Sequence, residues 1–267
     1  MSSSEHSANR IITLTTDFGY QDPFVGQMKG VILSINPQAK IIDITHDIVS
    51  HDIEEAALVI WESFKYFPEG SIHVVVVDPG VGSGRKALAV FAYGHYFLAP
   101  DNGVLSYILR DFKFQAFSIE NEKYMLKKSS STFQGRDLFA PASAWISKGV
   151  SITELGPECQ NPIRFAIKEP KKFKEKIIGE IIRIDKFGNA ITNIKADASH
   201  IKSVIVKNLT IPIVPYYASV ATIEKPSSNI NCLINSDGYL EIFVFKGNAA
   251  KELGLKKGDI VEVLLNG

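Results

Sequence analysis

The segment Ile72-His73-Val74-Val75-Val76-Val77-Asp78-Pro79-Gly80-Val81-Gly82-Ser83-Gly84-Arg85 decides the fold. Its first six residues are apolar apart from His73 and rich in β-branched valine, which reads as a central strand buried on both faces. The run stops abruptly at Asp78, and a proline and three glycines follow. A strand covered on both sides belongs to a largely parallel sheet with helices on its faces, so strands and helices should alternate around it.

Upstream, Ile11 to Thr16 reads as the first strand, and Phe24, Met28, Val31, Ile32 and Ile35 then recur at helical spacing until Asn36-Pro37. Lys40 to Ile44 is a second strand. Asp52 and Glu55 have capping-box spacing, and the helix behind them presents Ile53, Ala56, Ala57, Ile60, Trp61 and Phe64 to the sheet. Downstream, Leu88 to Ala92 is a strand. Leu138 to Ile146 is an apolar helix whose start, Gly135-Arg136-Asp137, sets an aspartate near the positive end of the dipole.

After about Gly149 short strands separated by turn residues replace this pattern: Ile177 to Ile184, Ala190 to Ile194, Ser203 to Val206, Thr210 to Val214, Asn231 to Ile234, Tyr239 to Val244 and Ile260 to Leu264. The reading is therefore an α/β fold in two parts. A polar tail spans 1–9, an N-terminal α/β domain with a mostly parallel sheet spans 10–168, a linker spans 169–176, and an all-β domain spans 177–267. The cluster Lys171, Lys172, Lys174 and Lys176 reads as a solvated linker face, offset by Glu169 and Glu175.

With 267 residues the chain is long enough for roughly two domains. Twenty-nine basic residues balance 29 acidic ones, so the even charge argues against a nucleic-acid partner. No run approaches the roughly 18 apolar residues of a membrane helix, and a soluble, cytoplasmic protein is expected. Two cysteines, Cys159 and Cys232, lack disulfide-framework or zinc-finger spacing.

In open α/β sheets ligands bind beyond the carboxyl ends of strands, so three clusters stand out: Thr16-Asp17-Phe18-Gly19, the Asp78 to Arg85 loop, and Pro100-Asp101-Asn102-Gly103. The last reads by itself as a turn. The glycine loop lacks P-loop spacing; a dinucleotide fingerprint counted from Gly82 reaches Ala87, a tolerated variant, but strand rather than the required helix follows it. Asp78 and Arg85 stand seven apart across that loop, close enough to fold back into an ion pair. His46, Asp47, His51 and Asp52 have poor metal-ligand spacing, and no metal site is expected.

Taken together, Thr15-Thr16-Asp17-Phe18-Gly19, Val77-Asp78-Pro79-Gly80-Val81-Gly82, Ala99-Pro100-Asp101-Asn102-Gly103 and Thr132-Phe133-Gln134-Gly135-Arg136-Asp137-Leu138-Phe139-Ala140-Pro141 resemble the S-adenosyl-L-methionine (SAM) hydroxide adenosyltransferases, relatives of fluorinase and chlorinase. Asp185-Lys186-Phe187-Gly188-Asn189, Asn235 to Ile242 and Gly247-Asn248-Ala249-Ala250 follow in the same order. The resemblance implies a C-terminal β-barrel-like domain and a homotrimer with sites between one subunit's first domain and its neighbour's second. It also implies displacement of methionine from ribose C5′ of SAM by water or hydroxide, giving adenosine, with no cofactor.

By that resemblance Asp78, Arg85 and Gln134 are the catalytic set, Gln134 standing where the family has histidine. Asp17 would accept the ribose hydroxyls, with His51, Phe133 and Tyr217 as walls. Asp185 would meet the methionine ammonium and Ser236 its carboxylate, Asn189 would meet the adenine edge, and Asn248 and Ala249 complete the substrate-binding set. Asp237 stands where fluorinase has an arginine. A noncatalytic SAM- or adenosine-binding protein is the alternative. A halide-using enzyme is disfavoured because fluorinases carry tyrosine and serine where Asp78 and Gly135 stand.

Overall fold

The structure, a computed structural model, describes residues 9–127, 132–222 and 229–266. The expected polar tail lies outside these residues apart from Asn9. Contacts within the chain define two compact units, the first ending at Ile167 and the second beginning at Lys168.

The first unit holds β1 (Ile11–Thr16), α1 (Phe24–Ile35), β2 (Lys40–Thr45), α2 (Ile53–Ser63), β3 (Ile72–Val76), β4 (Ala87–Ala92), β5 (His95–Pro100), β6 (Phe114–Ser118) and α3 (Ala140–Ser147). Its sheet has the order β2-β1-β3-β5-β4-β6. The first four strands in that order run parallel, whereas β4 pairs antiparallel with both β5 and β6. The antiparallel edge follows from the two-residue Tyr93-Gly94 turn between β4 and β5, too short for any crossover.

All of β3 is buried, as its valine run requires. One core cluster packs Met28, Ile32, Leu138, Phe139 and Ile146 against one sheet face, and another packs Ala56, Ile60, Phe64, Leu105 and Leu109 against the other. Burying one such side chain stabilises by about 1.5–3 kcal/mol, so the two layers together fix the sheet. His73, the polar exception in β3, is satisfied internally: Nδ1 lies 2.8 Å from Thr13 Oγ1 and Nε2 lies 3.2 Å from His95 Nδ1.

Two local expectations need correction. Asp52 does cap α2, accepting Glu55 N–H at 2.9 Å, but the Glu55 carboxylate reaches back to Val49 N–H rather than closing the reciprocal box. The helix expected over Leu138 to Ile146 begins instead with a π turn, Gly135–Phe139, that leads into α3. The Asp137 carboxylate there is held by the Arg136 guanidinium at 2.6 and 2.9 Å rather than left to the dipole.

The second unit contains β7 (Lys171–Lys172), β8 (Lys176–Ile184), β9 (Ala190–Lys195), β10 (Ile201–Val206), β11 (Leu209–Ile211), β12 (Ile230–Ile234), β13 (Tyr239–Val244), α4 (Ala249–Leu253) and β14 (Ile260–Leu265). Two lysines expected in a linker therefore form a short edge strand on β8. The antiparallel order is β11-β10-β14-β8-β9-β13-β12. Past β11 the chain bridges Ile213 to Cys232 of β12, with Cys232 N–H donating to Pro212 C=O at 3.0 Å, so the sheet nearly closes into a barrel. Among the described residues no helix is long and apolar enough to cross a membrane.

Candidate active site

β1 lies between β2 and β3, and Thr16 pairs with Val76, so the chain leaves the sheet in two directions from adjacent parallel strand ends. That is a topological switch point, and Asp17 and Asp78 follow those strand ends. The Asp17 side chain is 9% exposed; Oδ2 accepts the backbone N–H of His51 at 3.0 Å, with His51 Nδ1 at 3.9 Å. His51 adopts φ 71°, and its ring is largely exposed.

The loop after β3 folds back on itself. Arg85 Nε donates to Asp78 Oδ1 at 2.8 Å and Nη2 donates to Oδ2, a bidentate pair whose side chains are only 8% and 5% exposed. Gly80 N–H is the third donor to this carboxylate, reaching Oδ1 at 3.2 Å, and Gly82 turns the loop at φ 81°. Arg85 Nη2 also donates to Gln134 Oε1, so one guanidinium joins the two side chains. This bond orients the Gln134 amide and directs its NH₂ away from Arg85 as a donor.

Gln134 heads the π turn, a helix irregularity frequent at functional sites. A Cβ on Gly135 would lie 3.0 Å from the Phe133 ring and 3.2 Å from Met28 Sδ, so glycine permits this close packing. Phe133 in turn packs edge-on to Phe18 and Phe24, with ring centroids 5.8 and 5.2 Å away. A hollow of about 300 Å³ borders Arg85 and Gln134 and is also lined by Glu120, Glu122, Met125 and Leu138.

The third strand-end cluster supports the second. Asn102 Nδ2 donates to the C=O of Val77 at 2.9 Å, fixing the strand end before Asp78. Asp101 is buried and accepts Ile163 N–H at 2.7 Å; burial pushes its carboxyl up. His46, Asp47, His51 and Asp52 do not converge: His46 is buried, His51 is exposed and Asp52 caps α2. Among the described residues no group of three or more His, Cys, Asp or Glu is placed to hold a metal.

In the second unit a pocket of about 550 Å³ is lined by residues that include Asp185, Asn189, Tyr217, Phe187, Phe243 and Phe245. Asp185 Oδ1 accepts N–H groups of Phe187 and Asn189 at 2.9 and 2.8 Å, and Oδ2 accepts Asn189 Nδ2 at 3.1 Å. The Asn189 backbone C=O accepts Asp185 N–H at 2.9 Å, and its side-chain oxygen takes no part in these bonds. Tyr217 packs edge-on to Phe243 at 4.9 Å and donates its hydroxyl to Glu241 at 2.6 Å. Asn235 holds the other Glu241 oxygen at 3.2 Å.

Burial first, and the Glu241 bond second, push the Tyr217 phenol above its ordinary range. Burial also raises the Glu241 carboxyl, against the two hydrogen bonds. Ser236 is exposed on the β12–β13 turn, Asn248 caps α4 through Lys251 N–H at 2.8 Å, and Ala249 is buried; none of the three is among the pocket's lining. Glu241 is a residue the sequence reading passed over. Its signal was a lone carboxylate in the otherwise apolar β13.

The fold and these strand-end clusters define a two-part protein: an α/β unit with acidic side chains at its switch point, and a near-closed antiparallel barrel with an aromatic pocket. The chain belongs to the SAM hydroxide adenosyltransferase family: residues 12–156 match its N-terminal domain and 179–262 its C-terminal domain. It is 39% identical to the (R)-S-adenosyl-L-methionine hydrolase of Methanocaldococcus jannaschii, covering 95% of each chain. Identity to the (R)-S-adenosyl-L-methionine hydrolase of Thermus thermophilus is 33%, over 96% of this chain and all of the other. An uncharacterized conserved protein from Thermotoga maritima has a crystal structure that is similar at TM-score 0.86 and 33% identity, covering 95% of this chain and 99% of that one.

Proposed function

We propose that this chain hydrolyses S-adenosyl-L-methionine at ribose C5′, releasing adenosine and L-methionine. The observation that carries the reading is the Arg85 guanidinium gripping Asp78 on one side and Gln134 on the other at the end of β3. In the reaction a water oxygen bonds to C5′ while the C5′–S bond breaks. Its electron pair goes to sulfur, which leaves as a neutral thioether. Because the leaving group is good, the protein's main task is to aim and desolvate the water.

Asp78 is the acceptor for the water's proton, and Arg85 fixes the direction of that carboxylate. Gln134, its oxygen occupied by Arg85, offers an N–H to the water oxygen and takes no proton. It is a positioning donor. Asp17 accepts the ribose hydroxyls, with Phe133 and His51 beside them. Asp185, Asn189 and Tyr217, which line the pocket of the second unit, hold the methionine and adenine ends.

These residues fall into two sets on two units, which fits a homotrimer whose sites each combine unit one of a subunit with unit two of its neighbour. Water and the sulfonium suffice as reactants, so no cofactor enters. A cytoplasmic location fits two free, buried cysteines. The test is chromatographic: purified protein incubated with SAM yields adenosine and methionine, and Asp78→Asn lowers the rate by about 10²–10⁴-fold. No adenosine above the enzyme-free control overturns the reading.

A further inference from the structure

The turn that carries Asp17 is held by a chain of polar side chains that the reaction does not consume. Thr16 Oγ1 accepts the backbone N–H of Phe18 at 3.2 Å, bracketing Asp17. The same hydroxyl lies 2.8 Å from Nδ1 of His46, whose side chain is fully buried. His46 Nε2 lies 3.1 Å from Asp43 Oδ1. Asp43 Oδ2 then accepts Lys29 Nζ at 2.6 Å and the Tyr20 hydroxyl at 2.8 Å. The His46 C=O accepts Gly19 N–H at 2.8 Å, so the same residue grips both sides of the turn.

The proton positions follow from the partners. Asp43 Oδ1 and His46 Nε2 are both buried and have no aligned hydrogen-bond partner among the described residues. Two lone pairs facing each other at that separation would repel, so Nε2 carries the hydrogen. With that hydrogen on Nε2, Nδ1 is the acceptor for the Thr16 hydroxyl. Every donor thus points the same way: Phe18 N–H to Thr16, Thr16 O–H to His46, and His46 N–H toward Asp43, which also collects Lys29 and Tyr20. A directed chain of this kind is cooperative and stiff, and in this arrangement it commits its hydrogens to holding the turn.

We infer that His46, backed by Asp43, is a positioning residue that aims the Asp17 carboxylate at the vicinal hydroxyls of a ribose, acting through Thr16. The inference rests on the proposed reading of Asp17. One carboxylate serving two hydroxyls depends on its angle, and a misplacement of about 1 Å is costly. Asp17 is fixed from the far side by His51 N–H, and the Thr16–His46 link supplies the near side.

The test compares SAM with its 2′-deoxyribose analogue as substrates for the full chain, reading KM and kcat for adenosine or 2′-deoxyadenosine release. Wild type discriminates against the analogue. His46→Leu raises KM for SAM about tenfold, lowers kcat less, and loses most of that discrimination, while His46→Asn, which restores a polar atom near Nδ1, recovers much of it. If His46→Leu does not fold, Thr16→Val is read the same way, since it removes the relaying hydroxyl at nearly constant volume. A folded His46→Leu or Thr16→Val protein that discriminates as wild type overturns the inference. Asp17→Asn is run alongside: if it too discriminates as wild type, the ribose reading of Asp17 falls first and the inference with it.

Discussion

His73 is the second residue of the central strand, and burial, then the neighbouring His95, lower its pKa from 6.5 to about 3. The folded protein therefore leaves His73 neutral in a range where the unfolded chain takes up a proton. Its contribution to stability is complete above pH 6.5 and is lost as pH falls from there toward 3, by about 1.4 kcal/mol per pH unit. His95 is lowered as well, by burial, with Glu69 opposing. Urea midpoints between pH 7.5 and 5 should fall steeply in wild type and less steeply in His73→Gln. Parallel slopes in the two proteins would remove His73 from the explanation.

Among elements, the tightest constraint lies where the β8–β9 turn meets the start of α4. Gly188 has φ 87°, its C=O accepts Ala250 N–H at 2.9 Å, and the Asn248 amide fills the space a Cβ would need. Gly188→Ala should lower stability by about 1–3 kcal/mol through backbone strain and displacement of the Asn248 cap. Because Asn248→Ala would vacate that space, the double substitution should cost less than the two single losses added. Denaturant unfolding of all four proteins measures that coupling, and simple additivity would refute it.

At this scale most of the architecture was legible. The valine run gave β3, and the spacing of Met28, Ile32 and Ile35 gave α1, because burial imposes those patterns directly. Strand direction beyond β5 was not legible, since it depends on a two-residue turn whose neighbours could each read as an end. The π turn escaped because Gly135 through Phe139 carries ordinary helix chemistry, and the extra residue appears only when Phe133 and Met28 pack. Of the candidate site, the Asp78–Arg85 contact followed from spacing, and Gln134's place came only with the family motif. Glu241 was hidden because β13 reads as an apolar core strand.

For the whole molecule, the division of proposed site residues between two units makes subunit mixing decisive. Asp78→Asn damages unit one and Asn189→Ala damages unit two. Sites built between neighbours would regain both intact halves in about a quarter of cases when equal amounts of the two variants are refolded together. Adenosine formation should then rise well above the mean of the separately refolded variants. No such rise would confine each site to a single chain.

The seam at Ile213 and Cys232 gives the second unit a chemical clock. Cys232 is fully buried in β12, its Sγ lies 3.3 Å from Pro212 C=O, and burial raises the thiol to about 12. Alkylation needs the exposed thiolate, so the closed barrel protects this sulfur at neutral pH. Iodoacetamide should modify Cys232 in proportion to the fraction of time the seam is open, and Cys159, in the first unit, should report that unit's own opening separately. Peptide mass mapping over time would time the two halves independently, and a saturating ligand that slows one sulfur but not the other would reveal which half it braces.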